Sequence, residues 1–258
     1  MKRAWLLVVA FVFSLSACAA QEEKVEIVPQ DLRVVSIGDS LTEGVGDSTE
    51  TGGYIPYLQN ELVELEEVKD ATFTNYGIKG NRTDQLLKRL DEQQVKQSIE
   101  QADFVIITIG GNDIMKVLKE NFTRLKVNQF DDGREQYEKR LNEIIQKVRQ
   151  SNEEAGIVLV GLYNPFLDML HDVQEVEAIL NEWNETSKQT VEKYDRTTFV
   201  AVEDLFTNPK EELLYVDQFH PNDRGYQLMG ERIFDTIKGK ELEELTNKKI
   251  MYVKEEQR

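Results

Sequence analysis

The chain has 258 residues, 40 % of them apolar, enough for one large α/β domain or two small ones. Its 31 basic and 48 acidic residues give a formal charge of −17. That balance removes the cationic footprint nucleic acid requires, and it argues equally against binding to an anionic bilayer through surface charge. One cysteine allows no intrachain disulfide, and with only two histidines a dedicated zinc site lacks a ligand set.

Lys2 and Arg3 open the chain, and an apolar run from Ala4 to Leu15 follows. The run is shorter than the roughly 20 residues a spanning helix needs, so it reads as an export signal. It ends in Leu15-Ser16-Ala17-Cys18, which resembles the bacterial lipobox, where the cysteine is lipidated on sulfur and becomes the mature N-terminus. The expected organisation is a lipoprotein signal over 1–17 and a lipidated Cys18 with a polar tether over 18–31, anchored on the extracytoplasmic face of the cell membrane. An ordinary secretory signal with a chance cysteine is the alternative.

Beyond the tether, apolar runs alternate with helix-patterned stretches. Strands are predicted at Leu32–Ile37, Ala71–Tyr76, Phe104–Ile109, Ile157–Leu162 and Thr198–Val202. Such near-continuous apolar runs suit strands covered on both faces, as in a parallel sheet. Helices are predicted at Tyr54–Glu67, Thr83–Ile99, Tyr137–Arg149, Val173–Tyr194 and Asp223–Ile237, the last capped by Asn222 or Asp223. The alternation implies right-handed crossovers and a doubly wound α/β sandwich, one domain over 32–238. A charged extension over 239–258 reads as an outer helix or a tail, with Leu242, Leu245 and Ile250 scattered through it.

In open α/β sheets the ligand crevice lies beyond the carboxyl ends of the strands. Four predicted loops at that edge carry glycine and polar residues: Gly38-Asp39-Ser40, the stretch from Asn75 through Gly77 and Gly80 to Thr83, Gly110-Gly111-Asn112-Asp113, and Asp217 to His220. Together they can perform acyl transfer. A serine hydroxyl needs a base, and only His171 and His220 exist. Asp217 stands three residues before His220, a spacing that puts both side chains on one side of a tight turn, so that Nδ1–H can bond the carboxylate while Nε2 faces Ser40. The backbone N–H groups of Ser40 and Gly80 and the Asn112 amide suit an oxyanion hole. Each residue also has a plainer role. Ser40 can be a helix N-cap, Asn112 a turn residue, the glycines turn formers, and Asp39 and Asp113 loop ties. The first loop lacks the lysine of a phosphate-binding P-loop, and Asp47 to Gly52 has threonines where a calcium loop has carboxylates.

These blocks, in this order, resemble the GDSL esterase/lipase family, or SGNH hydrolases. Gly38-Asp39-Ser40-Leu41 matches its first block, Asn75 to Gly80 the second, Gly110-x-Asn112-Asp113 the third and Asp217-x-x-His220 the last. The resemblance implies a flavodoxin-like three-layer α/β/α fold with strand order 2-1-3-4-5. It also implies cofactor-free, metal-independent hydrolysis, with Ser40 as nucleophile, His220 as base, Asp217 as its orienter, and Ser40, Gly80 and Asn112 as oxyanion hole. A long insert over Ile114–Asp132 and a loop over Tyr163–His171 leave from strand ends and are rich in apolar residues. Phe166, Leu167 and His171 are read as substrate rim. The expected substrate is a small-molecule ester or lipid carrying an acyl chain, although the same residues could simply cover the sheet. A cell-wall sugar O-acetylesterase, a non-catalytic surface-binding lipoprotein and a flavin- or nucleotide-binding protein on the same fold are the competing readings.

Overall fold

The computed structural model describes residues 28–165, 174–207 and 209–251. Five parallel strands form one sheet: β1 (Gln30–Gly38), β2 (Val68–Gly77), β3 (Phe104–Thr108), β4 (Gly156–Val160) and β5 (Thr197–Val200), in the order β2-β1-β3-β4-β5. Ten helices are described: α1 (Ser40–Glu43), α2 (Ile55–Val63), α3 (Thr83–Arg89), α4 (Gln93–Glu100), α5 (Gly111–Asn121), α6 (Val127–Ser151), α7 (Gln174–Val191), α8 (Glu203–Phe206), α9 (Asp223–Ile237) and α10 (Lys240–Leu245).

The side-chain period of two along each strand divides the interior into two cores. Val34, Phe104, Ile106, Val158 and Val160 face α2, α9 and α10, where Leu58, Leu62, Met229 and Ile233 are fully buried. Their neighbours Val35, Val105, Ile107, Ile157 and Leu159 face α3, α4, α6 and α7, meeting Leu86, Ile99, Leu141, Ile144 and Trp183. Every residue of β3 and β4 is buried, as their unbroken apolar sequences require. The fold is therefore the three-layer α/β/α sandwich with the expected strand order.

Several elements differ from their sequence patterns for identifiable reasons. β2 is longer than the predicted six residues, and only Val68 and Ala71 in it are buried, the others being half-buried or exposed as befits an edge strand. The stretch predicted as one helix over Thr83–Ile99 is broken at Leu90–Glu92 into α3 and α4. Leu86 and Leu90, and Val95 and Ile99, keep four-residue spacing, but five residues separate Leu90 from Val95. One continuous helix would aim the two pairs about 180° apart. The insert over Ile114–Asp132 is not a loop: it is α5, a short connection, and the first turn of an α6 that begins ten residues before the predicted start at Tyr137. Leu242, Leu245 and Ile250 enter the first core, and the Leu245 carbonyl packs against Gly156 at the start of β4.

Candidate active site

β1 ends at Gly38 with φ +144°, where a Cβ would lie 2.0 Å from the Thr108 carbonyl oxygen on β3. Only glycine lets the two strands approach so closely at that backbone angle. The next amide, Asp39 N–H, donates to the same carbonyl at 3.0 Å. Asp39 then caps α1: its Oδ1 accepts from Leu41 N–H at 3.1 Å and from Thr108 Oγ1 at 2.9 Å. The capping role considered for Ser40 thus falls to Asp39, and the Ser40 hydroxyl is left to point elsewhere. Burial, reinforced by nearby Asp113 and only partly offset by those two hydrogen bonds, pushes the Asp39 carboxyl up to about 7.

The Ser40 hydroxyl lies 2.9 Å from His220 Nε2. His220 Nδ1 lies 2.7 Å from Asp217 Oδ2. Gln218, at φ +53°, turns the chain sharply between these partners, and the Tyr215 amide closes the loop by donating to the His220 carbonyl at 2.7 Å. Asp217 Oδ1 accepts from the amides of Phe219 and His220, each at 3.0 Å. Burial opposes ionisation of Asp217, but these amides and the imidazole outweigh it and hold the carboxyl below its ordinary value. A carboxylate so fixed sets the Nδ1–H tautomer and leaves Nε2 as acceptor for the serine proton. Ser40 and His220 are 5 % and 7 % exposed, so the pair is dry but reachable.

Two backbone amides and one side chain are the remaining expected site groups. Among the described residues neither Ser40 N–H nor Gly80 N–H has an acceptor. Gly80 adopts φ +79°, and no atom lies within 4 Å of where its Cβ would stand. Asn112 sits in the first turn of α5 and is held by an Nδ2 bond to the Asn81 carbonyl at 3.0 Å. These are the donors acyl-transfer chemistry requires around a developing oxyanion.

A sequence profile of the GDSL-like lipase/acylhydrolase family matches residues 36–228, from within β1 through the Asp217–His220 turn into α9. The chain belongs to that family. It is accordingly an esterase/lipase-type hydrolase. Among relatives of this GDSL-type chain, YpmR of Bacillus subtilis, an uncharacterized protein, is 38 % identical over 207 residues, 80 % of this chain and 81 % of the relative. Spore germination lipase LipC of Bacillus licheniformis is 26 % identical over 208 residues, covering 78 % and 94 %. The crystal structure of the lipase Lip_vut3 from a goat rumen metagenome superposes with a TM-score of 0.71 at 24 % identity, over 80 % of this chain and 97 % of that one.

Asp113, expected as a loop tie, does hold the GDSL blocks in register, through partners the sequence pattern did not reveal. Asp113, directly after Asn112, is 3 % exposed at its side chain. It accepts from Thr83 N–H at 2.9 Å, Thr83 Oγ1 at 2.6 Å and Arg140 Nη2 at 3.1 Å. Arg140 Nε in turn donates to Thr83 Oγ1 at 2.7 Å. This latch joins the first turns of α3 and α5 to α6, and so fixes the Gly80 loop relative to Asn112. Burial raises Asp113 even so, against the pull of Thr83 and Arg140. The available signal was Arg140 itself, a charge beside the apolar stripe Tyr137, Leu141 and Ile144. Tyr163 was also missed; its hydroxyl donates to the Phe219 carbonyl at 2.7 Å and steadies the histidine turn.

A cavity of about 570 Å³ opens beside the Ser40 hydroxyl. Asp39, Ser40 and Thr108 line it together with Ile114, Met115 and Leu118 of α5 and Ile179 and Leu180 of α7. Its walls are overwhelmingly apolar, and the expectation that the 114–132 stretch rims the site agrees with this lining. Phe166, Leu167 and His171, read as rim, and the lipidation candidate Cys18 lie outside the described residues.

Proposed function

We propose that the protein cleaves carboxylic esters of apolar acyl chains through an acyl-enzyme on Ser40. His220 Nε2 removes the hydroxyl proton as Ser40 Oγ attacks the ester carbonyl. Asp217 holds the imidazole and balances its charge, while the amides of Ser40 and Gly80 and the Asn112 side chain receive the oxyanion. Collapse expels the alcohol, which takes the proton from His220. Water, deprotonated by the same imidazole, then releases the acid and restores the serine. The observation that carries this reading is the unbroken chain Ser40–His220–Asp217 at 2.9 Å and 2.7 Å. The acyl assignment rests on the apolar cavity that begins at the serine, and LipC, a lipase by name, supports it. The basic start, the short apolar run and Leu15-Ser16-Ala17-Cys18 support export and anchoring through lipid on Cys18.

Steady-state rates on p-nitrophenyl esters of increasing acyl length test the proposal. Rates per enzyme should rise from acetyl to octanoyl and vanish in Ser40→Ala. A sharp preference for acetyl would turn the reading toward deacetylation of a cell-wall sugar. Full activity in Ser40→Ala would remove the nucleophile.

A further inference from the structure

The connection between α5 and α6 forms the outer lip of the cavity and carries two features at odds with the rest of the surface. The first is apolar exposure. Phe122 is 79 % exposed, Val127 53 % and Leu125 42 %, yet all three also line the cavity. The second is charge. Residues 116–126 hold Lys116, Lys119, Arg124 and Lys126 against Glu120 alone, a local +3 on a chain of −17. Lys116, Lys119, Arg124 and Lys126 are all exposed, and among the described residues their one ion pair is a 3.9 Å contact from Lys116 to Glu120. The facing wall, α7, bears exposed Glu177 and Glu182, so the positive character belongs to the α5–α6 hairpin and marks one edge of the mouth.

Mixed cationic and large apolar side chains at one edge match the interfacial region of a bilayer. Basic residues meet anionic headgroups, and the apolar ones enter the acyl boundary. We propose that the α5–α6 hairpin is a docking lip that seats the cavity mouth on an anionic lipid bilayer. This rests on the reading of the cavity as an acyl-chain site, because a docked lip lets a chain pass from bilayer to Ser40 without crossing water. It is a local exception to the whole-chain charge, which repels such a surface. The geometry of the chain is compatible. The polypeptide enters β1 at the end of the sheet away from Ser40, about 30 Å along the strand. Residues 18–29 can extend roughly 40 Å, so an anchored N-terminus and a docked lip can meet one bilayer.

The test uses the full chain carrying Phe122→Trp, read as a fluorescence difference against the chain with Phe122, which subtracts Trp5 and Trp183. Vesicles of equal parts phosphatidylglycerol and phosphatidylcholine should shift the added emission to the blue, and raised salt should reverse the shift. Replacing Lys116, Lys119 and Arg124 by Ser should weaken this response about 100-fold, since each basic residue near an anionic surface contributes about fivefold. The same triple variant should keep wild-type turnover of a soluble short-chain ester, whereas Ser40→Ala should lose turnover and keep the shift. That pair of controls separates failure of docking from failure of the hydrolase reading. No shift on anionic vesicles, or an equal shift in the triple variant, would overturn the proposal. So would an equal shift on pure phosphatidylcholine, or a concentration-dependent shift without lipid, which would mean a second copy covers the lip.

Discussion

Ser40 owes its position to the residues on either side of it. Gly38 lets β1 touch β3, Asp39 takes the capping bond, and the serine hydroxyl is turned to His220. Gly38→Ala forces a Cβ into the Thr108 carbonyl and should cost stability and activity together, read as an earlier urea midpoint and a lower kcat. Ser40→Ala and His220→Ala should each lower kcat by several orders of magnitude, Asp217→Ala by less, and the three losses should not add. Asp39 gives a separate pH signature. Its carboxyl is raised to about 7 in the folded chain against 3.8 for the free group. Between these values the native state binds more protons than the unfolded one, so this residue makes stability fall as pH rises through that window. Asp39→Asn keeps an acceptor for Leu41 and Thr108 and should flatten the slope. It should also raise stability at pH 8 by up to a few kcal/mol, measured by urea unfolding across pH.

At the scale of elements, helix starts do the positioning. The latch of Asp113, Thr83 and Arg140 ties two of them, those of α3 and α5, to the middle of α6, and through them the proposed Gly80 and Asn112 donors. Arg140→Ala leaves a buried carboxylate short of its cation. It should destabilise by about 3 kcal/mol and lower kcat more than it raises KM, because the donors it aligns act chiefly in the transition state. How much of this was legible follows from what each signal encodes. The strands could be read because burial on both faces demands continuous apolar sequence, and Phe104 to Thr108 and Gly156 to Val160 obey that rule. The meeting of Ser40, His220 and Asp217 could be read because short motifs carry them. The break between α3 and α4 was hidden in a single five-residue gap, and α5 was masked by apolar residues that suit a cavity wall as well as a core. Of the latch only the Asp113 tie could be read, because a lone arginine on a highly charged helix looks like solvent-facing surface until its partner is placed.

For the molecule as a whole, one end of the sheet holds both the reacting groups and the apolar cavity. Each methylene moved from water into that cavity contributes about 0.8 kcal/mol, or roughly fourfold in kcat/KM, until the space is filled. Leu118→Trp narrows the cavity between α5 and α7 and should lower the octanoyl-to-acetyl rate ratio at least about tenfold, the loss of two or so buried methylenes. The acidic remainder of the surface has no part in that selectivity, so the ratio measured on soluble esters should be insensitive to salt.

The measurement that reaches the central claim most directly is active-site labelling with a fluorophosphonate, followed by peptide mapping. The account predicts a single adduct on the peptide containing Ser40, formed quickly in the wild type, at least about a hundredfold more slowly in His220→Ala, and absent in Ser40→Ala. An adduct on a different residue, or labelling of His220→Ala at the wild-type rate, would contradict it.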